Sequence, residues 1–276
     1  MKNKQLDELS LEEYKNIEFN LLCSFDTFCK KHQVKYSLAY GTLLGSIRHN
    51  GFIPWDDDID IMMLREDYER FLSLNKEDDL SFGIFSPEIN KEYYAPYCNI
   101  YDLNTILVEE GNSHRGFDIG VKIDIFPVDI VPDDYTEYLK IRRKSMFINR
   151  LLAWKRWPLS AYRKGLSTVR ASLVKILLLS LPYSYLQSKL RSLCLKYRNT
   201  ECIYCDVVCY NPYFNSRFKL DVFNSIIEHQ FEDRKFSIIS DYDYVLSAIY
   251  GNYMQLPPIE KRISWHNFKV YKKNEE

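Results

Sequence analysis

A mixed α/β fold, one sheet flanked by helices with a basic helical insertion, is the architecture this sequence predicts. Three features point to it: an amphipathic helix opened by a capping box, short apolar runs that alternate like strands, and a middle segment with helical periodicity and no acidic residue.

Ser10-Leu11-Glu12-Glu13 has capping-box spacing, and Tyr14, Ile17, Leu21, Phe25, Phe28 and Cys29 then recur at helical intervals up to Lys30-Lys31-His32. Tyr36 to Tyr40 reads as a short strand that Gly41 interrupts, and Thr42 to His49 as a short helix. Pro54 keeps Gly51 to Trp55 irregular, because it lacks an N–H and biases its predecessor towards extended geometry. A strand is expected at Asp58 to Met63, then a helix at Arg65 to Leu74 with Tyr68, Phe71 and Leu74 on one side. Phe82 to Phe85, Tyr97 to Tyr101 and Val121 to Phe126 read as further strands. In the basic stretch Leu166, Val169, Leu173, Ile176 and Leu177 share a helical face among Arg163, Lys164, Arg170 and Lys175, and Pro182 ends the run. Asp241 to Tyr250 reads as a helix stopped by Gly251, followed by a rigid Leu256-Pro257-Pro258 turn.

The composition, 46% apolar and 27% charged over 276 residues, is that of one enzyme-sized globular unit. No apolar run reaches the ~20 residues a membrane-spanning helix needs; the longest is Ile176 to Leu181. The first residues hold no apolar stretch of the signal-peptide kind, and seven scattered cysteines fit a reducing compartment, so a cytoplasmic location is expected. A net charge of −1 argues against nucleic-acid binding. The charge is nonetheless uneven: Tyr138 to Thr200 holds 15 Lys and Arg and no Asp or Glu, which suits an anionic partner.

Asp56-Asp57-Asp58-Ile59-Asp60 crowds four carboxylates immediately before the apolar Ile61-Met62-Met63. On a strand, Asp58 and Asp60 would share one face, about 6 to 7 Å apart, while Ile59 and Ile61 enter the core. Such a pair suits a hard divalent cation that keeps substrate phosphates as its other ligands; the plainer reading is a solvated acidic turn. Upstream, Tyr40-Gly41-Thr42 with Gly45 and Ser46 is a turn into a helix whose N–H groups suit an anion, or simply a tight turn. Asp124, alternating with Ile123 and Ile125, must be paired or functional, since a lone buried carboxylate is expensive. Cys202-Ile203-Tyr204-Cys205-Asp206-Val207-Val208-Cys209 holds one C-x-x-C but no second pair, and its interleaved Ile203, Val207 and Val208 look like buried strand rather than a zinc site.

The run from Tyr36 through Gly41-Thr42 and Gly45-Ser46 to Pro54-Trp55-Asp56-Asp57-Asp58-Ile59-Asp60-Ile61 closely resembles the LicD family, as do Ile123-Asp124-Ile125-Phe126-Pro127-Val128-Asp129 and the tail from Tyr250 to Arg262. The resemblance, to a family related to fukutin and fukutin-related protein, implies a nucleotidyltransferase-like fold whose pattern is G-[ST], D-h-D and a third acid. Gly41 and Thr42 match the first part, Asp58 and Asp60 the second, and Asp124 the third. It implies that Asp58, Asp60 and Asp124 hold Mg2+, or Mn2+ in its place, and are catalytic. Gly41, Thr42, Gly45, Ser46, Arg48 and His49 would contact the nucleotide or its phosphates, while Trp55, Asp56, Asp57, Lys261 and Arg262 would support the site or touch substrate. The implied reaction moves phosphocholine, or another phospho-alcohol, from a CDP-activated donor such as CDP-choline to a sugar hydroxyl of a lipopolysaccharide or teichoic-acid precursor. On this reading residues 1–135 form the catalytic core and 136–200 a basic helical segment facing a glycan or lipid-linked glycan acceptor, or the inner membrane face as a peripheral contact. Residues 201–276 complete the same unit. The competing readings are a true nucleotidyltransferase releasing pyrophosphate and a non-catalytic glycan-binding protein of the same fold.

Overall fold

The computed structural model describes residues 8–77, 80–109, 117–156, 175–210, 216–263 and 268–273. Helix α1 (Leu11–His32) begins at the expected capping box: the Ser10 hydroxyl accepts from the Glu13 N–H at 3.2 Å, and the Glu13 carboxylate accepts from the Ser10 N–H at 2.9 Å. Glu12 and Glu13 in its first turn and Lys30, Lys31 and His32 in its last complement the helix dipole. Its buried face runs Tyr14, Glu18, Leu21, Leu22, Phe25, Phe28, Cys29, with Glu18 the one carboxylate.

The next strand, β1 (Ser37–Leu38), is shorter than expected. Tyr40 adopts a left-handed φ of 43°, which no strand accommodates, and becomes the first residue of α2 (Tyr40–His49). Strand β2 (Asp60–Leu64) starts two residues later than expected. Asp56 closes a turn onto the Ile53 carbonyl at 2.9 Å, and the Ile59 N–H is taken by the Glu18 carboxylate at 2.9 Å rather than by a strand. Helix α3 (Arg65–Ser73) buries Tyr68, Phe71 and Leu72; Leu74, expected on that face, is half-buried at the cap. Then come β3 (Gly83–Phe85), β4 (Cys98–Tyr101), β5 (Thr105–Glu109) and the long β6 (Lys122–Val131).

Beyond β6 lie α4 (Tyr135–Arg156), α5 (residues 175–180), α6 (Tyr183–Cys194), β7 (Tyr204–Asp206) and β8 (Phe218–Lys219). The hairpin β9 (Ile226–Phe231) and β10 (Arg234–Ile239), helix α7 (Tyr242–Tyr250) and β11 (Phe268–Lys272) follow. Gly251 ends α7 at φ 67°, as its sequence predicts. The basic helix expected over Leu166 to Leu177 lies mostly outside the described residues. Its described end is helical, with Lys175 donating to the Trp154 carbonyl at 2.8 Å, while Ile176 and Leu177 are 63% and 68% exposed.

Among the described residues the main sheet has seven strands, in the order β1-β2-β6-β4-β3 with β7 and β8 continuing from β6. β2 and β6 are parallel and the other pairings antiparallel, so the mixed α/β fold stands as predicted. β6 is the hub: residues 122–125 pair with β4 and 129–131 with β7, and Pro127, which has no N–H to donate, falls between the two. Two smaller antiparallel pairs, β9–β10 and β5–β11, are the further pairings among the described residues.

Two buried ion pairs tie the sheet to its helices. Arg65 donates to Asp129 through Nε at 2.7 Å and Nη2 at 2.9 Å, the bidentate geometry in which guanidinium and carboxylate interact most strongly. Arg142 of α4 lies 3.5 Å from Asp206 of β7, which also accepts from the Tyr138 hydroxyl at 2.9 Å. In the cysteine-rich run Cys205 and Cys209 are buried free thiols, whereas Ile203, expected inside, is 59% exposed because β7 begins after it. Among the described residues no helix is long and apolar enough to cross a membrane.

Burial lifts the Asp206 carboxyl to about 6, against the opposing pull of Arg142 and Tyr138. A carboxyl raised on folding stabilises the fold fully below its unfolded pKa, and that contribution is lost as pH rises through 6. Urea unfolding at pH 4 and pH 7 should therefore show a larger loss of stability for the wild type than for Asp206→Asn, the difference being up to about 3 kcal/mol.

Candidate active site

The parallel pairing of β2 with β6 sets Asp60 directly beside Asp124. Residues in register on adjacent strands project to the same face, so the two carboxylates share one wall. The backbone locks this placement: the Asp124 N–H donates to the Ile59 carbonyl at 3.0 Å, and the Ala39 N–H to the Asp60 carbonyl at 2.9 Å. Asp57 and Asp58, in the turn before β2, line the same cleft of about 320 Å³, together with Lys122, Asn99, Arg156 and a group of aromatic rings.

Asp60 is crowded by charge. Burial, then Asp58, Asp124 and Asp56, push its carboxyl well above the ordinary range, and Lys122 opposes them. Glu18 adds a further acid beneath: it is fully buried, its Oε1 accepts from the Ile59 N–H at 2.9 Å, and burial with Asp58 nearby raises its pKa strongly. Asp124 is held by three donors. Lys122 and Asn99 both donate to Oδ1, and the Tyr97 hydroxyl donates to Oδ2 at 3.1 Å. Asn99 is itself oriented by the Tyr93 hydroxyl.

Glu18, Tyr97, Asn99 and Lys122 are absent from the residues singled out in the sequence. Lys122 stands two positions before Asp124, which on a strand means the same face, and Glu18 interrupts an apolar helical face. Both signals were readable. Asn99 reaches Asp124 only through the β4–β6 register, which no local pattern announces.

The predicted phosphate-binding residues divide differently. Thr42 is buried, and its hydroxyl accepts from the Asp60 N–H at 2.8 Å, so it positions the acid. A Cβ on Gly41 would stand 2.5 Å from an Asp56 carboxylate oxygen, so this position has room for glycine alone while Asp56 rests on the first turn of α2. Gly45 is likewise pressed against the Gly51 carbonyl, which a Cβ would meet at 2.5 Å. Ser46 is fully buried and donates to the Gln230 carbonyl at 2.7 Å, facing the β9–β10 hairpin instead of the cleft.

Arg48, His49, Trp55 and Arg262 form a separate cluster. Arg48 donates to the Tyr253 carbonyl at 2.7 Å and through Nε to His49 at 3.0 Å; burial and then the Arg48 charge hold His49 below its ordinary pKa. His49 meets the Trp55 ring edge-on at 6.2 Å, and the Arg262 guanidinium lies 5.3 Å from that ring, while Lys261 is exposed. None of these four is among the residues lining the carboxylate cleft.

Residues 33–152 match the family described as LicD/FKTN/FKRP, nucleotidyltransferase domain. The chain is 31% identical to the lipopolysaccharide cholinephosphotransferase LicD of Haemophilus influenzae over 272 residues, covering 96% of this chain and 99% of that protein. The chain belongs to the LicD family. An uncharacterized protein of Rickettsia prowazekii is 36% identical over 84 residues, 24% of this chain and 32% of its own, and one of Rickettsia typhi is 35% identical over 72 residues, 26% and 23%. For this LicD-family protein, the near end-to-end match means that the elements around the cleft and the helical segment both fall within the aligned region.

The expected metal ligands Asp58, Asp60 and Asp124 all border the cleft, yet among the described residues no group of three His, Cys, Asp or Glu is gathered as a metal site. The Lys122 ammonium already engages Asp124. The donor set still fits a hard cation: magnesium takes one or two carboxylates and completes its shell with water and phosphate oxygens, and the Asp60–Asp124 register supplies two.

Thr42→Val keeps the shape of the side chain but leaves the Asp60 N–H without its acceptor. Loss of about 1–3 kcal/mol in urea unfolding is expected, the cost of an unsatisfied buried donor; unchanged stability would overturn this positioning role.

Proposed function

We propose that this protein is a phosphotransferase of nucleotidyltransferase-like fold that moves phosphocholine from a CDP-activated donor to a sugar hydroxyl of a cell-surface glycan precursor of the lipopolysaccharide type. The observation that carries the proposal is the in-register pair Asp60 and Asp124 at the wall of a cleft, in a chain matching a cholinephosphotransferase along nearly its whole length. Asp60 and Asp124, with Asp58 beside them, would hold Mg2+ or Mn2+. That ion, when bound, supplies charge neutralisation for a diphosphate and acidifies a coordinated hydroxyl.

The chain's own residues account for the rest. Lys122 and Arg156 are the cations of the cleft lining, suited to oxygens of the diphosphate. Lys122, Asn99 and Tyr97 fix the Asp124 carboxylate so that it does not swing on ligand binding, and Thr42 fixes the backbone of Asp60. The acceptor hydroxyl oxygen attacks the phosphorus carrying choline, the bond from that phosphorus to the CMP oxygen breaks, and a cleft carboxylate takes the hydroxyl proton.

A second element of the proposal concerns the helical segment. Phe147, Ile176, Leu177 and Tyr185 are 61%, 63%, 68% and 47% exposed, and Arg143, Lys144 and Lys189 line the groove between α4 and α6 beside Phe147 and Tyr185. Exposed apolar side chains flanked by cations suit an anionic membrane surface that carries a lipid-linked acceptor.

Two experiments test this reading. Magnesium-dependent release of CMP from CDP-choline should fall roughly a thousandfold in Asp60→Asn. Pyrophosphate release from CTP would instead mark a nucleotidyltransferase, and wild-type inactivity with every CDP-alcohol a non-catalytic role. In co-sedimentation, the protein should bind phosphatidylglycerol vesicles in preference to phosphatidylcholine ones, and the double change Ile176→Ser, Leu177→Ser should weaken that binding about tenfold; equal binding to both lipids would sink the membrane contact.

A further inference from the structure

The corner of the cleft next to Asp124 is walled by aromatic rings. Tyr97 and Phe126 have ring centroids 4.5 Å apart at 47°, Tyr97 and Tyr210 are 5.3 Å apart at 56°, and Phe126 and Tyr210 are 5.9 Å apart at 16°. Tyr40 meets Phe126 edge-on at 5.5 Å. All four line the cleft. Their convergence follows from the sheet: Phe126 lies two residues beyond Asp124 and so on the same face of β6, Tyr97 leads into β4, and Tyr210 follows β7.

We propose that Tyr97, Phe126 and Tyr210 form a subsite for a quaternary ammonium group, which selects choline over polyols in the donor. The inference rests on the phosphotransferase reading above and names the part of the chain that sets its donor.

Ring faces carry negative quadrupole charge, and a cation over several of them is attracted without any hydrogen bond, which suits a trimethylammonium group that has none to give. A polyol such as ribitol would want hydrogen-bonding groups at this corner, where the Tyr97 hydroxyl is already committed to Asp124. Tyr97 is inclined to the near-parallel Phe126 and Tyr210 rings.

The test compares phosphocholine with its neutral carbon isostere, in which a tert-butyl group replaces trimethylammonium. Both ligands have the same size and phosphate, so their difference in affinity isolates the cation. By calorimetry in magnesium buffer, the wild type should prefer phosphocholine about tenfold. Tyr210→Leu should abolish most of that preference with CMP affinity unchanged, and Tyr210→Phe should retain it. Tyr210 is 38% exposed, so its replacement leaves the core intact; Phe126→Leu supplies a second ring deletion. Equal wild-type affinity for the two ligands, or an undiminished preference in Tyr210→Leu, overturns the subsite. CMP release from CDP-ribitol but not from CDP-choline overturns the subsite and leaves the transferase standing. Conversely, a persistent cation preference with no CMP release from any CDP-alcohol upholds the subsite and removes the transferase reading.

Discussion

Two carboxylates held side by side by a parallel strand pairing are the constraint from which the rest of this molecule can be understood. Asp60 and Asp124 face one another because β2 and β6 are in register, and neither can retreat without breaking the ladder that forms the centre of the sheet. The resulting repulsion is spread over neighbours: Lys122, Asn99 and Tyr97 gather around Asp124, and Glu18 anchors the turn from below. Low-dielectric surroundings make such charges expensive, and the same surroundings strengthen their attraction for any cation brought to them.

The remaining architecture keeps that wall rigid. The Arg65–Asp129 pair secures the far end of β6 to α3, and Arg142–Asp206 secures β7 to α4. A buried ion pair is weak evidence for net stability, because desolvation offsets much of the attraction, but a bidentate pair fixes orientation strongly. Here the bidentate Arg65–Asp129 pair lies along β6, which continues from the carboxylate wall, so it governs direction more than strength.

Much of this was legible in the chain. The capping box of α1, the stop at Gly251 and the alternating Ile123-Asp124-Ile125 each act through neighbours in sequence, and each appears where it was expected. The acidic run and its approach to Asp124 were also readable, although the start of β2 was displaced because Glu18, forty-one residues away, takes the Ile59 N–H. What escaped the sequence was non-local: the β5–β11 pairing, the β9–β10 hairpin behind α2, and the roles of Thr42 and Ser46, whose hydroxyls serve partners in other elements. A glycine-threonine turn has the same local signature whether its hydroxyl faces a phosphate or a strand.

The cleft also has an order of completion. Its carboxylates come from the first half of the chain, but Tyr210 and Phe268 of its lining come much later, and Phe268 enters with β11, which pairs back onto β5 across more than 150 residues. A polypeptide emerging from the ribosome would therefore carry every acidic group of the centre long before the enclosure around them exists. Until then the carboxylates lack the part of their lining that Tyr210 and Phe268 supply.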